Sequence, residues 1–191
     1  MKISTRALAG TATLAALTIV LDYAWKYSNL KLPFFPPLTY LKFDFTGIPI
    51  VLATLLFGFI PGAVTSLVAA VGILARSGKV LDSSMKGLAE FATILGIAIG
   101  LKLLKRFMKV GSSVLGIASR VLVMAIANLT AVYVGIMPLD PNVPLIIVTL
   151  LIGVFNTIQG ALTVYGAFVV YEALRRRAPH LAKIDKQSLG D

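Results

Sequence analysis

The sequence predicts an all-α integral membrane bundle of six transmembrane helices, N-in and C-in, and three observations point to it. Apolar residues fill 58% of the 191 positions and charged residues only 14%, an apolar excess that no soluble domain of this length can bury. The apolar residues gather into long runs between short polar stretches, with room for about six or seven spans of ~20 residues and little besides. The Lys and Arg residues behind the net charge of +10 flank those runs, which marks topology and not a nucleic-acid footprint.

The first span is expected at 7–23. Lys2 and Arg6 ahead of an apolar run also open a secretory signal, but the small triplet Ala7-Leu8-Ala9 precedes the run instead of following it, so this helix is expected to be retained. An aromatic and proline-rich loop covers 25–40. Span two is expected at 45–58, broken by the stretch 58–61, and span three at 62–74, the tight turn making an antiparallel hairpin. Residues 76–86 read as a polar loop, and span four, 87–104, ends in the basic cluster Lys102, Lys105, Arg106 and Lys109. Span five is expected at 114–137 and span six at 144–174, stopped by Arg175-Arg176-Arg177-Ala178-Pro179. A cytoplasmic tail, 178–191, carries the lone His180.

Eleven basic residues lie at the termini and after span four, six on the opposite loops, and Arg120 alone within a span. That bias puts both termini in the cytoplasm of a multi-pass cell-membrane protein. Without an internal repeat, a single bundle over 1–191 is expected in place of an inverted-repeat transporter.

Catalytic chemistry finds little support. The chain has no cysteine, no Ser/His/Asp set, no His-Glu-x-x-His helix and no phosphate loop, so neither thiolate catalysis nor its own ATP hydrolysis is available. Polar groups retained in hydrocarbon are costly and therefore informative: Glu90, Asn128, Asn156 and Gln159. Asn156 and Gln159 share a helix face, with Gly160 leaving room for a close neighbour. Interhelical hydrogen bonding explains any one of them; as a set on three consecutive helices they are expected to face one cavity. Glu90 and Asp44 could alternatively handle protons in a stand-alone bundle.

The stretch 38–49 reads on its own as an interfacial belt, with Tyr40, Phe43 and Phe45 at headgroup depth and Lys42 and Asp44 in water, or alternatively as a mouth where a ring-shaped ligand stacks. In span one, Ala12 and Ala16 with Ala9 and Thr13 make a smooth face for another helix, of this chain or of a partner.

This combination resembles the substrate-binding S component of energy-coupling factor (ECF) vitamin transporters, the riboflavin-specific member above all. The resemblance covers nearly the whole chain and rests on the six-helix plan, the stretch Leu41-Lys42-Phe43-Asp44-Phe45-Thr46-Gly47-Ile48-Pro49, the turn Phe57-Gly58-Phe59-Ile60-Pro61-Gly62-Ala63, and Asn156-x-x-Gln159-Gly160. The chain departs from the riboflavin pattern at Gly47, where an acid is usual, at Gln159, where Lys is usual, and at Glu90, where Asn is frequent. The resemblance implies capture of riboflavin from outside by Leu41, Lys42, Asp44, Phe45, Glu90, Asn128, Asn156, Gln159 and Gly160. It also implies docking through Ala12 and Ala16 onto a transmembrane coupling subunit driven by two ATPases, with no cofactor or metal of its own. A flavin's flat ring suits apolar walls and its carbonyls and hydroxyls suit amides. Being uncharged, it needs no committed basic residue. Anionic vitamins such as biotin, folate or pantothenate would call for a buried Arg or Lys, which span six lacks until its cytoplasmic end; thiamine is a further alternative.

Overall fold

The structure is a computed structural model that describes residues 4–28, 30–34, 41–104, 107–137 and 143–178. Tyr40, Lys105, Arg106, His180 and the tail from 179 onward lie outside the described residues. Helix α1 (Thr5–Tyr27) leads into a two-stranded antiparallel ribbon, β1 (Leu32–Pro33) and β2 (Lys42–Phe43), with Leu32 opposite Phe43 and Pro33 opposite Lys42. Helices α2 (Gly47–Phe57), α3 (Phe59–Ser77), α4 (Val80–Leu103), α5 (Met108–Tyr133) and α6 (Leu145–Arg177) follow.

The helical bundle is as expected, with six α-helices among the described residues. Among the described residues, five helices are long and apolar enough to cross a membrane, while α2 has 11 residues. At 1.5 Å per residue that is about 16 Å, roughly half the hydrocarbon thickness. Its sequence explains its position: GIPIVLATLLF is apolar on every side, and a helix without a polar face belongs inside. It forms the axis of the core, with Ile50 and Val51 meeting Ile94 and Ile97 of α4 and Val164 and Ala167 of α6, all fully buried. The outer surface is the reverse of a soluble protein's, with Leu67, Leu122, Leu150 and Val169 each more than 60% exposed, as suits contact with lipid.

The break between spans two and three is confined to Gly58, whose φ of 96° few other residues adopt. Pro61 then sits in the first turn of α3, where its missing N–H costs nothing. The polar stretch 76–86 is not a loop. Gly78, left-handed at φ 66°, ends α3, and α4 starts at Val80 with Asp82 in its first turn, where the helix dipole favours an acid. The polar residues Ser83 and Lys86 tolerate the helix because they face the interior: Ser83 is buried and Lys86 reaches buried acids. Likewise α5 begins at Met108, not 114, because Ser112 and Ser113 satisfy their hydroxyls on carbonyls one turn back.

Helices α4 and α5 touch backbone to backbone. A Cβ at Gly96 would run into the Leu115 carbonyl and come within 2.8 Å of the Gly116 Cα, and one at Gly100 would run into Ser112. Small residues four apart on both helices permit this approach. Gly153, in α6, has open space around it. Gly96→Val should therefore lower stability by about 2–3 kcal/mol through overpacking, whereas Gly153→Ala should be neutral or stabilising by up to about 1 kcal/mol. Thermal unfolding of the detergent-solubilised variants reads both; equal effects would deny the backbone contact.

Candidate functional site

A cavity of about 600 Å³ opens at the end of the bundle where α1, α3 and α5 finish and α2, α4 and α6 begin. Its size lies within the ~300–1,000 Å³ typical of ligand pockets. Apolar wall comes from Ile73, Leu81, Met85, Met124 and Phe155. Phe155 carries a ring cluster, with Phe43 at 4.9 Å and Phe34 at 5.6 Å between centroids, which seats the ribbon against α6. Six of the residues expected at a site line this cavity: Leu41, Lys42, Asp44, Asn128, Asn156 and Gln159.

Three expected residues stand elsewhere. Phe45 turns away to pack edge-on against Trp25, 5.0 Å between centroids, because an aromatic of this size finds its partner on the end of α1. Gly160 lies beneath Arg120, where a Cβ would come within 3.2 Å of the arginine's Cδ, so the glycine makes room for a side chain of α5. Glu90 is fully buried behind the wall. Its Oε1 pairs with Arg120 at 3.0 Å and with Lys86 at 3.1 Å, while Oε2 has no hydrogen-bond partner among the described residues. The Oε2 atom sits over Gly47, at 2.5 Å from where a Cβ would be, so position 47 is glycine because the carboxylate occupies its side-chain space.

Asp44 does not lie in water as an interfacial belt would have it. It is 6% exposed and forms the middle of a ladder of charges. Lys86 donates to its Oδ1 at 2.8 Å, Lys31 lies 3.7 Å from Oδ2, and the Thr46 hydroxyl donates to Oδ1 at 2.6 Å. Lys31 also pairs with buried Asp22, which accepts from Arg76 Nε at 2.6 Å. The ladder therefore runs Arg76, Asp22, Lys31, Asp44, Lys86, Glu90, Arg120. Burial alone would raise the Asp44 carboxyl, but the ammonium groups of Lys86 and Lys31, with hydrogen bonds from Lys86 and Thr46, outweigh it and hold the group well below the ordinary carboxylate range. A depressed folded-state value means that the contribution of Asp44 is present above the ordinary carboxylate pKa and lost only as acidity approaches that depressed value. At neutral pH the rung is an ion, which disfavours proton handling there.

The amides are partly committed within the protein. Gln159 donates from Nε2 to the Asp44 carbonyl at 2.7 Å and accepts from the Asp44 N–H at Oε1, 3.3 Å, so one side chain clamps the backbone of the β2–α2 connection to α6. Asn156 accepts from Arg120 Nε at 3.2 Å and donates to the Ile152 carbonyl at 2.9 Å. Asn128 donates to the Met124 carbonyl at 2.7 Å. An amide offers two donors and an acceptor with two lone pairs, so Asn128 and Asn156 keep capacity for a guest. Arg120, 2% exposed, also donates to Thr93 Oγ1 and lines the cavity beside them.

The lining is basic, and two of its cations, Lys86 and Arg120, were not among the residues expected at the site. Arg120 was legible as a lone charge in an apolar helix, the usual signature of a functional position. Lys86 was hidden by reading its segment as a loop, and Asp22 and Arg76 by lying at helix ends, where charges are ordinary. Ala12 and Ala16, with Ala9 and Thr13, are exposed along α1, and no helix among the described residues covers them.

No protein-family model matches the chain, and no curated protein matches it. Among solved structures, it matches one described as the S component of a bacterial ECF transporter, with a TM-score of 0.73 at 24% identity over 89% of this chain and 95% of that one. The chain thus has the fold of an ECF-transporter S component.

Proposed function

We propose that the chain is a membrane-embedded substrate-binding subunit, not an enzyme, that captures riboflavin from outside the cell and delivers it inward with an ATP-driven ECF coupling module. The observation that carries this reading is the cavity itself, whose lining combines aromatic and aliphatic side chains (Phe155, Met124, Leu81) with amides that keep unused donors and acceptors (Asn128, Asn156). A planar heteroaromatic with ring carbonyls and a hydroxylated tail matches that combination. The shared fold and the likeness of residues 41–49 to the riboflavin pattern support the same reading. In the plasma membrane the termini would lie in the cytoplasm and the cavity would open outside, since it lies at the bundle end away from the two termini. A second reading, an S component for an anionic vitamin such as folate, biotin or pantothenate, is favoured by Arg120 and Lys86 in the lining.

The uncovered strip Ala9, Ala12, Thr13 and Ala16 offers close helix approach to a transmembrane coupling subunit, which two ATPase subunits would drive.

Two outcomes are expected. Purified protein should quench the fluorescence of added riboflavin, and Asn156→Leu should weaken that binding by about a hundredfold, since it removes ligand contacts and releases Arg120 into the cavity. Titration against thiamine, biotin, folate and pantothenate in parallel assigns the ligand; no response to riboflavin would sink the flavin reading. Replacing Ala12 and Ala16 with Leu should leave binding within about twofold yet abolish copurification with a coupling subunit, because bulky side chains hold the helices apart. Retained copurification would place the docking face elsewhere.

A further inference from the structure

Among the described residues, the cavity carries more positive charge than its acids balance. Seven bases line it, against two lining acids, Asp44 and Asp82, and two more, Asp22 and Glu90, immediately behind the wall. Even with all four acids counted, three positive charges are left over. The ion pairs show where part of the excess lies. The ladder uses four bases on three acids, and Lys79 is 3.9 Å from Asp82. Lys26 at the end of α1 and Lys42 in β2 have no ion-pair partner among the described residues, and both face the cavity from its open end.

Resting on the reading of this cavity as the ligand site, we propose that its mouth is an anion subsite, formed by Lys26 and Lys42 and suited to a phosphate monoester on the ligand. The preferred ligand is then the phosphorylated form of the vitamin, not the free one. Three observations converge on this. Lysines that line one cavity without an acid partner among the described residues draw in a guest of opposite charge. A phosphate monoester carries about −1.5 to −2 at neutral pH, closer to the excess than a single carboxylate. The division of the cavity also fits a two-ended ligand, because Phe155 and the amides hold the ring while the free ammonium groups stand at the opening, where a tail would emerge. Lysine fits such a mouth because its ammonium is a mobile point charge that follows a phosphate on a flexible chain.

The test compares riboflavin with flavin mononucleotide on the full-length protein in detergent, by fluorescence quenching, for the parent and the double variant Lys26→Gln/Lys42→Gln. Both lysines are exposed, so the variant should keep the fold, which size-exclusion chromatography checks. At roughly 20 mM salt the parent should bind the phosphorylated flavin about tenfold more tightly than riboflavin, and the advantage should fall to about twofold near 300 mM. The double variant should lose the advantage at low salt, the two flavins then binding within about twofold of each other. Equal affinities in the parent, or an advantage that survives in the double variant, overturns the subsite. A second measurement separates this from the flavin reading: roughly 20–50 mM inorganic phosphate should raise the thermal midpoint of the parent more than that of the double variant, the general salting effect being common to both. If neither flavin binds but this difference appears, the flavin reading fails and the anion subsite stands; if neither flavin binds and the difference is absent, both fail.

Discussion

The arrangement of the cavity depends on Asp44. Its carboxylate receives Lys86 of α4, Lys31 from the segment after α1, and the hydroxyl of Thr46, while its backbone N–H and C=O are both taken by Gln159 of α6. One residue in a connection of a few amino acids thus ties three separate parts of the chain together. A buried ion is tolerated only when its partners repay the lost hydration, and breaking such a pair by removing one partner costs about 3–5 kcal/mol because the other is left uncompensated. Asp44 therefore fixes its surroundings more by what its loss would strand than by attraction alone.

The ladder from Arg76 to Arg120 extends that dependence across the bundle. It begins where α1 and α3 meet at Asp22, crosses the mouth at Lys31 and Asp44, and ends at the α4–α5–α6 junction, where Arg120 touches Glu90, Thr93 and Asn156. Each acid in it is shared by two cations, so a guest that competes for one rung changes the balance at the next. The apolar axis supplied by α2 sets the helices in place, and the ladder sets the side chains that look into the cavity. Hydrophobic burial is non-directional; the orientation of Arg120 and Lys86 comes from hydrogen bonds and charge.

Much of the fold could be read from hydropathy, because runs such as 145–174 have no soluble alternative. The short α2 was the exception: a largely apolar stretch of fourteen residues at 45–58 signals burial without saying whether against lipid or protein. The start of α4 was obscured for a related reason, since Asp82, Ser83 and Lys86 have the composition of a loop and only the tertiary fold turns Lys86 toward acids. Among candidate site residues, Asn128, Asn156 and Gln159 were legible as polar groups in apolar spans and Asp44 only through the family resemblance, and the cavity gathers all four. Its charge was not legible. The six bases counted against the inward bias, Lys26, Lys31, Lys42, Arg76, Lys79 and Lys86, all line it, so the residues that blurred the topology signal are largely those that give the cavity its sign.

The departures from the riboflavin pattern at positions 47 and 90 are joined by one contact. Any side chain at 47 would collide with the Glu90 carboxylate, at 2.5 Å from the Cβ position, so an acid at 47 and Glu90 exclude each other in this packing. Here the carboxylate belongs to α4, where it meets Arg120 directly. Gln159 follows the same logic. An ammonium could donate to the Asp44 carbonyl but not accept from its N–H, whereas the amide does both. Gln159 thus makes a two-point clamp on the loop that carries Asp44, while Arg120 and Lys86 bring positive charge to the lining from positions held by the ladder that Asp44 centres.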